Sequence, residues 1–156
     1  MFDPNTYKRR HELRGSFDEW MRGLEFNWFL TLNLNAPASF RSARSILKEF
    51  DARLDRKLLG ARFHKRQEGR TFFIAVPEHE HSNLHYHLLL EILANGAWSR
   101  TDLAKLIFEA WRAAIPSGSI WLRGIHDGGA ALYTAKDLLK YEHFNEFIIS
   151  TEFHTR

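Results

Sequence analysis

Apolar and polar residues alternate along Glu25 to Asn35 (EFNWFLTLNLN). Trp28, Leu30, Leu32 and Leu34 fall on one side, and Phe29, Thr31, Asn33 and Asn35 on the other. A period of two with aromatic enrichment predicts a half-buried strand. Ala36-Pro37-Ala38 interrupts the alternation, and Ser39 is placed to cap a helix from Phe40 to about Leu59, ended by Gly60. Phe40, Ala43, Ile46, Leu47, Phe50, Leu54 and Leu58 recur along it at helical spacing. Thr71 to Glu78 (TFFIAVPE) and Leu84 to Ile92 (LHYHLLLEI) predict two more strands. The short polar link His79-Glu80-His81-Ser82-Asn83 joins them as an antiparallel hairpin. After a turn at Ala94-Asn95-Gly96, Ser99 starts a helix that runs to about Ala114 and is stopped by Pro116. Ser119 to Gly124 predicts a short strand, and Gly128-Gly129 precedes a last helix from Ala130 to about Phe144. Residues 1–24 read as an arm or a short helix around Phe17 to Leu24.

The order strand, helix, strand, strand, helix, strand, helix predicts an α+β two-layer sandwich with a mostly antiparallel sheet. A chain of 156 residues is expected to form one domain over 1–156, with a core large enough to need no covalent staple. The absence of Cys excludes a disulfide scaffold, a Cys-ligated zinc site, an iron–sulfur cluster and a thiol nucleophile. No phosphate-binding G-x-x-x-x-G-K-[ST] motif is present, and the length leaves no room for an ATPase or helicase domain. The apolar runs are too short for a bilayer and the start MFDPNTYKRRHE is no signal peptide, so no membrane role and a cytoplasmic location are expected.

The net charge of +3 hides a local bias. Arg41, Arg44, Lys48, Arg53, Arg56, Lys57, Arg62, Lys65, Arg66 and Arg70 are opposed in that stretch only by Glu49, Asp51, Asp55 and Glu68. Such a band suits a polyanion, because each neutralised phosphate releases condensed counterion. It is equally what the solvated face of a helix looks like.

Candidate chemistry sits in three places. In His85-Tyr86-His87, strand alternation points both imidazoles to one face, about 7 Å apart at the Cα atoms, and Tyr86 to the other. Glu78 ends the preceding strand, and a tight hairpin brings its carboxylate beside the pair. Two imidazoles and a carboxylate suit a borderline divalent ion with open positions. His79 and His81 in the connecting turn are alternative third ligands, with Glu78 preferred. In the last helix (ALYTAKDLLKYEH), Tyr133, Lys136 and Lys140 share a face. A lysine one turn from a phenol favours the phenolate, which is the nucleophilic form. On the first strand, Thr31 and Asn33 present small hydrogen-bonding side chains on the face of the His pair. Phe29, Trp98 and Trp121 are candidates for stacking on bases if they are not core.

A strand reading FLTLN, then a strand with His-hydrophobic-His, then a late helix with Tyr-x-x-Lys resembles the HUH endonuclease superfamily, in particular single-tyrosine rolling-circle replication initiators of bacterial plasmids and phages. The resemblance runs from about Glu25 to Tyr141, and the run Leu54 to Gly60 leading into a glutamate-ended strand and LHYHLLLE adds to it. It implies a ferredoxin- or RRM-like sheet with helices on one face and an active site on the open one. It implies Mg or Mn held by His85 and His87 with Glu78 as third ligand, Tyr133 as nucleophile and Lys136 beside the scissile phosphate. Thr31 and Asn33 would be structural or contact DNA. Arg41, Arg44, Arg56, Lys57, Arg62, Lys65, Arg66 and Lys140 would follow the backbone of single-stranded DNA and of an origin hairpin or duplex. Host helicase and polymerase are the implied partners. The implied reaction is nicking and rejoining through a 5′-phosphotyrosyl link that starts DNA replication. A relaxase or single-strand transposase would share that chemistry. From other classes, an RRM-like binder would need no metal, and an iron oxygenase would favour a jelly roll over three helices.

Overall fold

The computed structural model describes residues 15, 19, 24–66, 68–78, 83–93, 97–125 and 146–154. Among them are, in chain order, β1 (Trp28–Asn33), α1 (Phe40–Leu59), β2 (Phe72–Glu78), β3 (His85–Glu91), α2 (Arg100–Ala114), β4 (Ser119–Gly124) and β5 (Ile148–Ile149). Every strand pairing is antiparallel, and the sheet order is β4-β1-β3-β2-β5. From β1 to β4 this is the split β-α-β-β-α-β arrangement of ferredoxin-like sheets. The α+β two-layer sandwich expected from the sequence is therefore the observed fold. Two single 3₁₀ turns, at Phe63–Lys65 and Ser150–Phe153, and the two-residue β5 are additions that alternation does not signal. The last helix predicted from Ala130 and most of the N-terminal arm lie outside the described residues.

Both helices start where hydroxyl caps allow it. Ser39 Oγ accepts from the backbone N–H of Ser42, and Ser99 Oγ from that of Asp102, so one orphan donor of each first turn is satisfied. Gly60 ends α1 at φ 89°, a backbone angle that side-chain-bearing residues resist. The apolar faces of α1 (Ala43, Leu47, Phe50, Leu54) and α2 (Leu103, Ile107, Ala110, Trp111) pack on one side of the sheet. They meet Trp28, Leu30 and Leu32 of β1, Phe73 and Ala75 of β2, and Tyr86, Leu88 and Leu90 of β3. Trp111 is fully buried, and its indole N–H donates to the Ser119 carbonyl at 3.0 Å, tying α2 to the start of β4. Gly118 is required beside it: a Cβ there would stand 2.7 Å from the Trp111 indole nitrogen.

The other face of the sheet is not polar throughout. Ile74, Val76 and Leu89 are fully buried there, packed with Phe26 and Ile125. Where β1 and β2 finish and β3 begins, the same face carries Thr31, Asn33, Glu78, His85 and His87 instead.

At the opposite end, α1 is fastened to β2 by charge. Asp55, fully buried, accepts from the Thr71 backbone N–H and hydroxyl, both at 2.8 Å, and from Arg70 Nε at 2.7 Å. Removing the carboxylate strands three buried donors. Asp55→Ala is expected to cost about 3–5 kcal/mol in urea unfolding, as for any broken buried pair. Lys57→Ala, which loses only an exposed pair with Glu109, is expected to cost less than about 1 kcal/mol.

Candidate metal centre and the face around it

Strand register builds the centre. His85 lies opposite Asn33 on β1 and Glu78 on β2, and His87 lies opposite Thr31 and Val76. Since alternate residues share a face, Glu78, His85, His87, Thr31 and Asn33 stand on the side away from the helices, and Tyr86 is buried on the helix side. A slip of one residue in β3 would turn both imidazoles into the core.

The side chains converge closely. Glu78 Oε2 lies 2.9 Å from His85 Nε2 and 2.8 Å from His87 Nε2. The two imidazole centroids are 5.0 Å apart with planes at 85°. Each ring is also held from behind. His85 Nδ1 is 2.9 Å from the Asn83 carbonyl oxygen, and His87 Nδ1 is 3.3 Å from Thr31 Oγ1. A carbonyl oxygen only accepts, so His85 Nδ1 carries the proton. In neutral His85 the Nε2 lone pair then faces a carboxylate oxygen. Two acceptors at that distance repel unless a cation joins them, either a proton that makes imidazolium or a metal ion. Metal-bound histidines donate their second ring N–H to an oxygen, and that pattern is present for His85. The spacing also fits, since ligand atoms about 2.1 Å from one ion sit roughly 3 Å apart at right angles. Glu78, His85 and His87 thus form a group able to hold a metal ion.

Partial burial pushes the Glu78 carboxyl upward. The hydrogen bonds from His87 and then His85, with their charges, outweigh burial and hold it below the ordinary carboxylate range.

Asp51, Asp55 and His154 also cluster, but their cation is already supplied. Arg70 donates to both carboxylates, and His154 Nε2 lies 2.9 Å from Asp51 Oδ2. Burial raises the Asp51 carboxyl above its usual range; the His154 hydrogen bond opposes this, and the charge of Asp55 adds to it. A guanidinium on the same oxygens disfavours a metal, so this cluster is an ion-pair network.

An aromatic and cationic strip continues from the centre across β1 onto β4. Phe29 stacks on His87 and meets Trp121 edge-on, both at 6.1 Å between centroids. Arg123 lies over the rings of Phe29 (5.6 Å) and Trp121 (6.0 Å). Trp121 is 53% exposed, more than any core role would allow. Arg123 escaped the sequence reading; the alternation Ser119, Trp121, Arg123 on β4 is the signal that could have found it. Trp98 lies instead at the other end of the sheet, beside Leu58, Leu59, Ile92 and Leu93.

The structure gathers Glu78, His85, His87, Thr31 and Asn33, and it does not gather the basic band with them. Arg41, Arg44, Arg56 and Lys57 are on α1, in the helix layer. Arg44 pairs with Glu152 at 2.7 Å and Lys57 with Glu109 at 3.1 Å, while Arg56 lies over Phe63. Arg62, Lys65 and Arg66 follow α1, exposed, at the end of the sheet opposite Glu78. Tyr133, Lys136, Lys140 and the alternative ligands His79 and His81 lie outside the described residues. Among the described residues no helix is long and apolar enough to cross a membrane.

Comparison with protein-family models, curated proteins and solved structures finds no match to this chain.

Manganese should raise the melting temperature in proportion to the logarithm of its concentration, as a ligand of the native state does. His85→Ala and His87→Ala should abolish that shift. Thr31→Val, which removes the oxygen behind His87, should weaken Mn affinity about 10- to 100-fold. Without metal, the stability that Glu78 contributes follows from its lowered pKa. It is fully present above the ordinary value of 4.5 and is lost as pH falls below it through the folded value. The melting-temperature gap between the parent and Glu78→Gln should therefore close on acidification across that window.

Proposed function

We propose that this chain is a metal-dependent endonuclease domain that nicks and rejoins single-stranded DNA by tyrosine transesterification, in the manner of single-tyrosine rolling-circle initiators. The observation that carries the reading is the convergence of two imidazole Nε2 atoms on one Glu78 oxygen, with His85 Nδ1 tied to a carbonyl and His87 Nδ1 backed by Thr31. Such a group on the face away from α1 and α2 of a β-α-β-β-α-β sandwich is what the motif order FLTLN, His-Tyr-His, Tyr-x-x-Lys leads one to expect.

Glu78, His85 and His87 would hold the ion, and two imidazoles favour Mn over Mg, whose preferred ligands are oxygens. Bound there, the ion would supply positive charge to phosphoryl oxygens. The remaining work belongs to the chain. Trp121 and Phe29 offer faces on which bases can stack, and Arg123 offers a cation to the backbone between them. Lys136, three residues after Tyr133 in the sequence, would favour the phenolate. The Tyr133 oxygen attacks phosphorus, the bond from phosphorus to the 3′ oxygen breaks, and that oxygen takes up a proton to leave as a free 3′-OH. The phosphotyrosyl ester keeps the bond energy, so attack by a 3′-OH restores the strand and the phenol. Initiation of replication, with an origin hairpin and host helicase and polymerase as partners, is the role this chemistry would serve.

The strip of Phe29, Trp121 and Arg123 also supports a second reading, a binding module without cleavage.

Incubation of the protein and Mn with a library of hairpin-bearing single-stranded oligonucleotides, followed by mass spectrometry of tryptic peptides, separates the two. The expected result is a nucleotide adduct on the peptide that contains Tyr133, absent from Tyr133→Phe although that variant still binds DNA. An adduct that persists in Tyr133→Phe removes Tyr133 as the nucleophile, and binding with no adduct in any condition leaves the binding module. Trp121→Ala should weaken single-strand binding by about 1–3 kcal/mol, measured by fluorescence anisotropy.

A further inference from the structure

On the helix side of the β2 edge, remote from Glu78, lies a cavity of about 610 Å³ between α1, the Phe63–Lys65 turn and the Ser150–Phe153 turn. Its size is that of a small-molecule site. Three features define what it would take. Its floor is the buried network described above, in which Arg70 and His154 face Asp51; Arg70 and Asp51 are 9% and 1% exposed. Those groups are held in fixed positions, so the floor offers an ordered polar edge. Its walls carry two phenyl rings, Phe63 and Phe153, on segments far apart in sequence, with Arg70 and Arg56 over the first and Arg44 over the second. Its rim carries Lys48 and Lys65. Arg44, Arg53, Lys57 and Arg70 in the basic band are committed to carboxylates, whereas Lys48 and Lys65 have no ion pair among the described residues.

We propose that this cavity is a nucleoside-phosphate site. The phenyl walls suit a flat ring, and the rim lysines suit a dianionic phosphate. The polar floor favours a nucleobase over a phosphorylated phenol, because a base edge can add hydrogen bonds to His154 Nδ1 and to the Arg70 guanidinium beside those the network already makes. The rim lysines, unlike Arg70, have no carboxylate partner among the described residues, and they supply the cations that a monophosphate needs. The ligand is either a free nucleotide or the phosphorylated end of a strand. The site shares no residue with the metal centre and does not depend on the nuclease reading.

The test is equilibrium binding to the full chain, by calorimetry, of AMP, adenosine, inorganic phosphate and a short oligonucleotide with and without a 5′-phosphate. AMP is expected to bind at least about tenfold more tightly than adenosine or phosphate alone, a 1.4 kcal/mol difference. Lys48→Glu/Lys65→Glu should weaken it at least about tenfold. Lys105→Glu, which makes the same substitution once at an exposed lysine of α2, should alter it by less than about twofold. His85→Ala/His87→Ala should bind AMP as the parent does, which separates this site from the metal centre. If only the 5′-phosphorylated oligonucleotide binds, and the double lysine variant loses it, the proposal stands with a strand end as the source. Absence of saturable binding of both ligands below about 1 mM, or binding undiminished in the double variant, would overturn it.

Discussion

The register between β2, β3 and β1 is the constraint on which the site depends. It sets His85 opposite Glu78 and His87 opposite Thr31, and it does so because the helix-facing positions are filled by Tyr86, Leu88, Leu90, Phe73 and Ala75. Burial of those residues holds the register, since a shift by one would expose all of them and bury two imidazoles and a carboxylate. The hydrophobic layer therefore fixes the orientation of polar groups that take no part in it. Thr31 and the Asn83 carbonyl then set the ring positions, so the two Nε2 atoms arrive at the same oxygen before any ligand is present.

The molecule divides its charges between two ends and two faces. At the Glu78 end, acceptors gather on the face away from α1 and α2, beside an aromatic strip. At the other end, on the helix layer, Asp51 and Asp55 are bonded to Arg70 and His154, and the 3₁₀ segment that carries Phe153 is held against α1 by that network and by Arg44–Glu152. A nucleic acid that touched both the metal centre and α1 would have to pass around a sheet edge. The cleft among Phe40, Arg41, Arg44 and Tyr86 lies at the N-terminal end of α1, on the helix side of the strand that bears the histidines.

Much of this was legible in the chain because the relevant patterns are local. Alternation over WFLTLN and HYHLLLE assigns faces residue by residue, the serine caps and Gly60 bound the helices, and a short link between Glu78 and His85 forces their pairing. What was not legible joins distant residues. Arg70 and Asp55 are fifteen positions apart and His154 and Asp51 over a hundred, and nothing in local spacing marks them as partners. In the sequence Asp51 and Asp55 counted only as acidic residues diluting a basic band; in the structure they are its anchor. β5 is two residues long, too short for periodicity to register, and it forms because Ile148 and Ile149 meet Ala75 and Ile74. Burial of Ile74, Val76 and Leu89 on the second face was likewise hidden. A strand covered on both sides has a near-continuous apolar run, and FFIAVPE reads equally well as a strand with one.

The central claim is that His85 and His87 bind one ion together through Nε2. Pulsed electron paramagnetic resonance of the Mn²⁺-loaded protein addresses it directly, because manganese couples magnetically to each nitrogen bound to it. The account predicts coupling to two imidazole nitrogens, reduced to one in His85→Ala and in His87→Ala. A spectrum with water couplings alone, or one unchanged by either substitution, would contradict it.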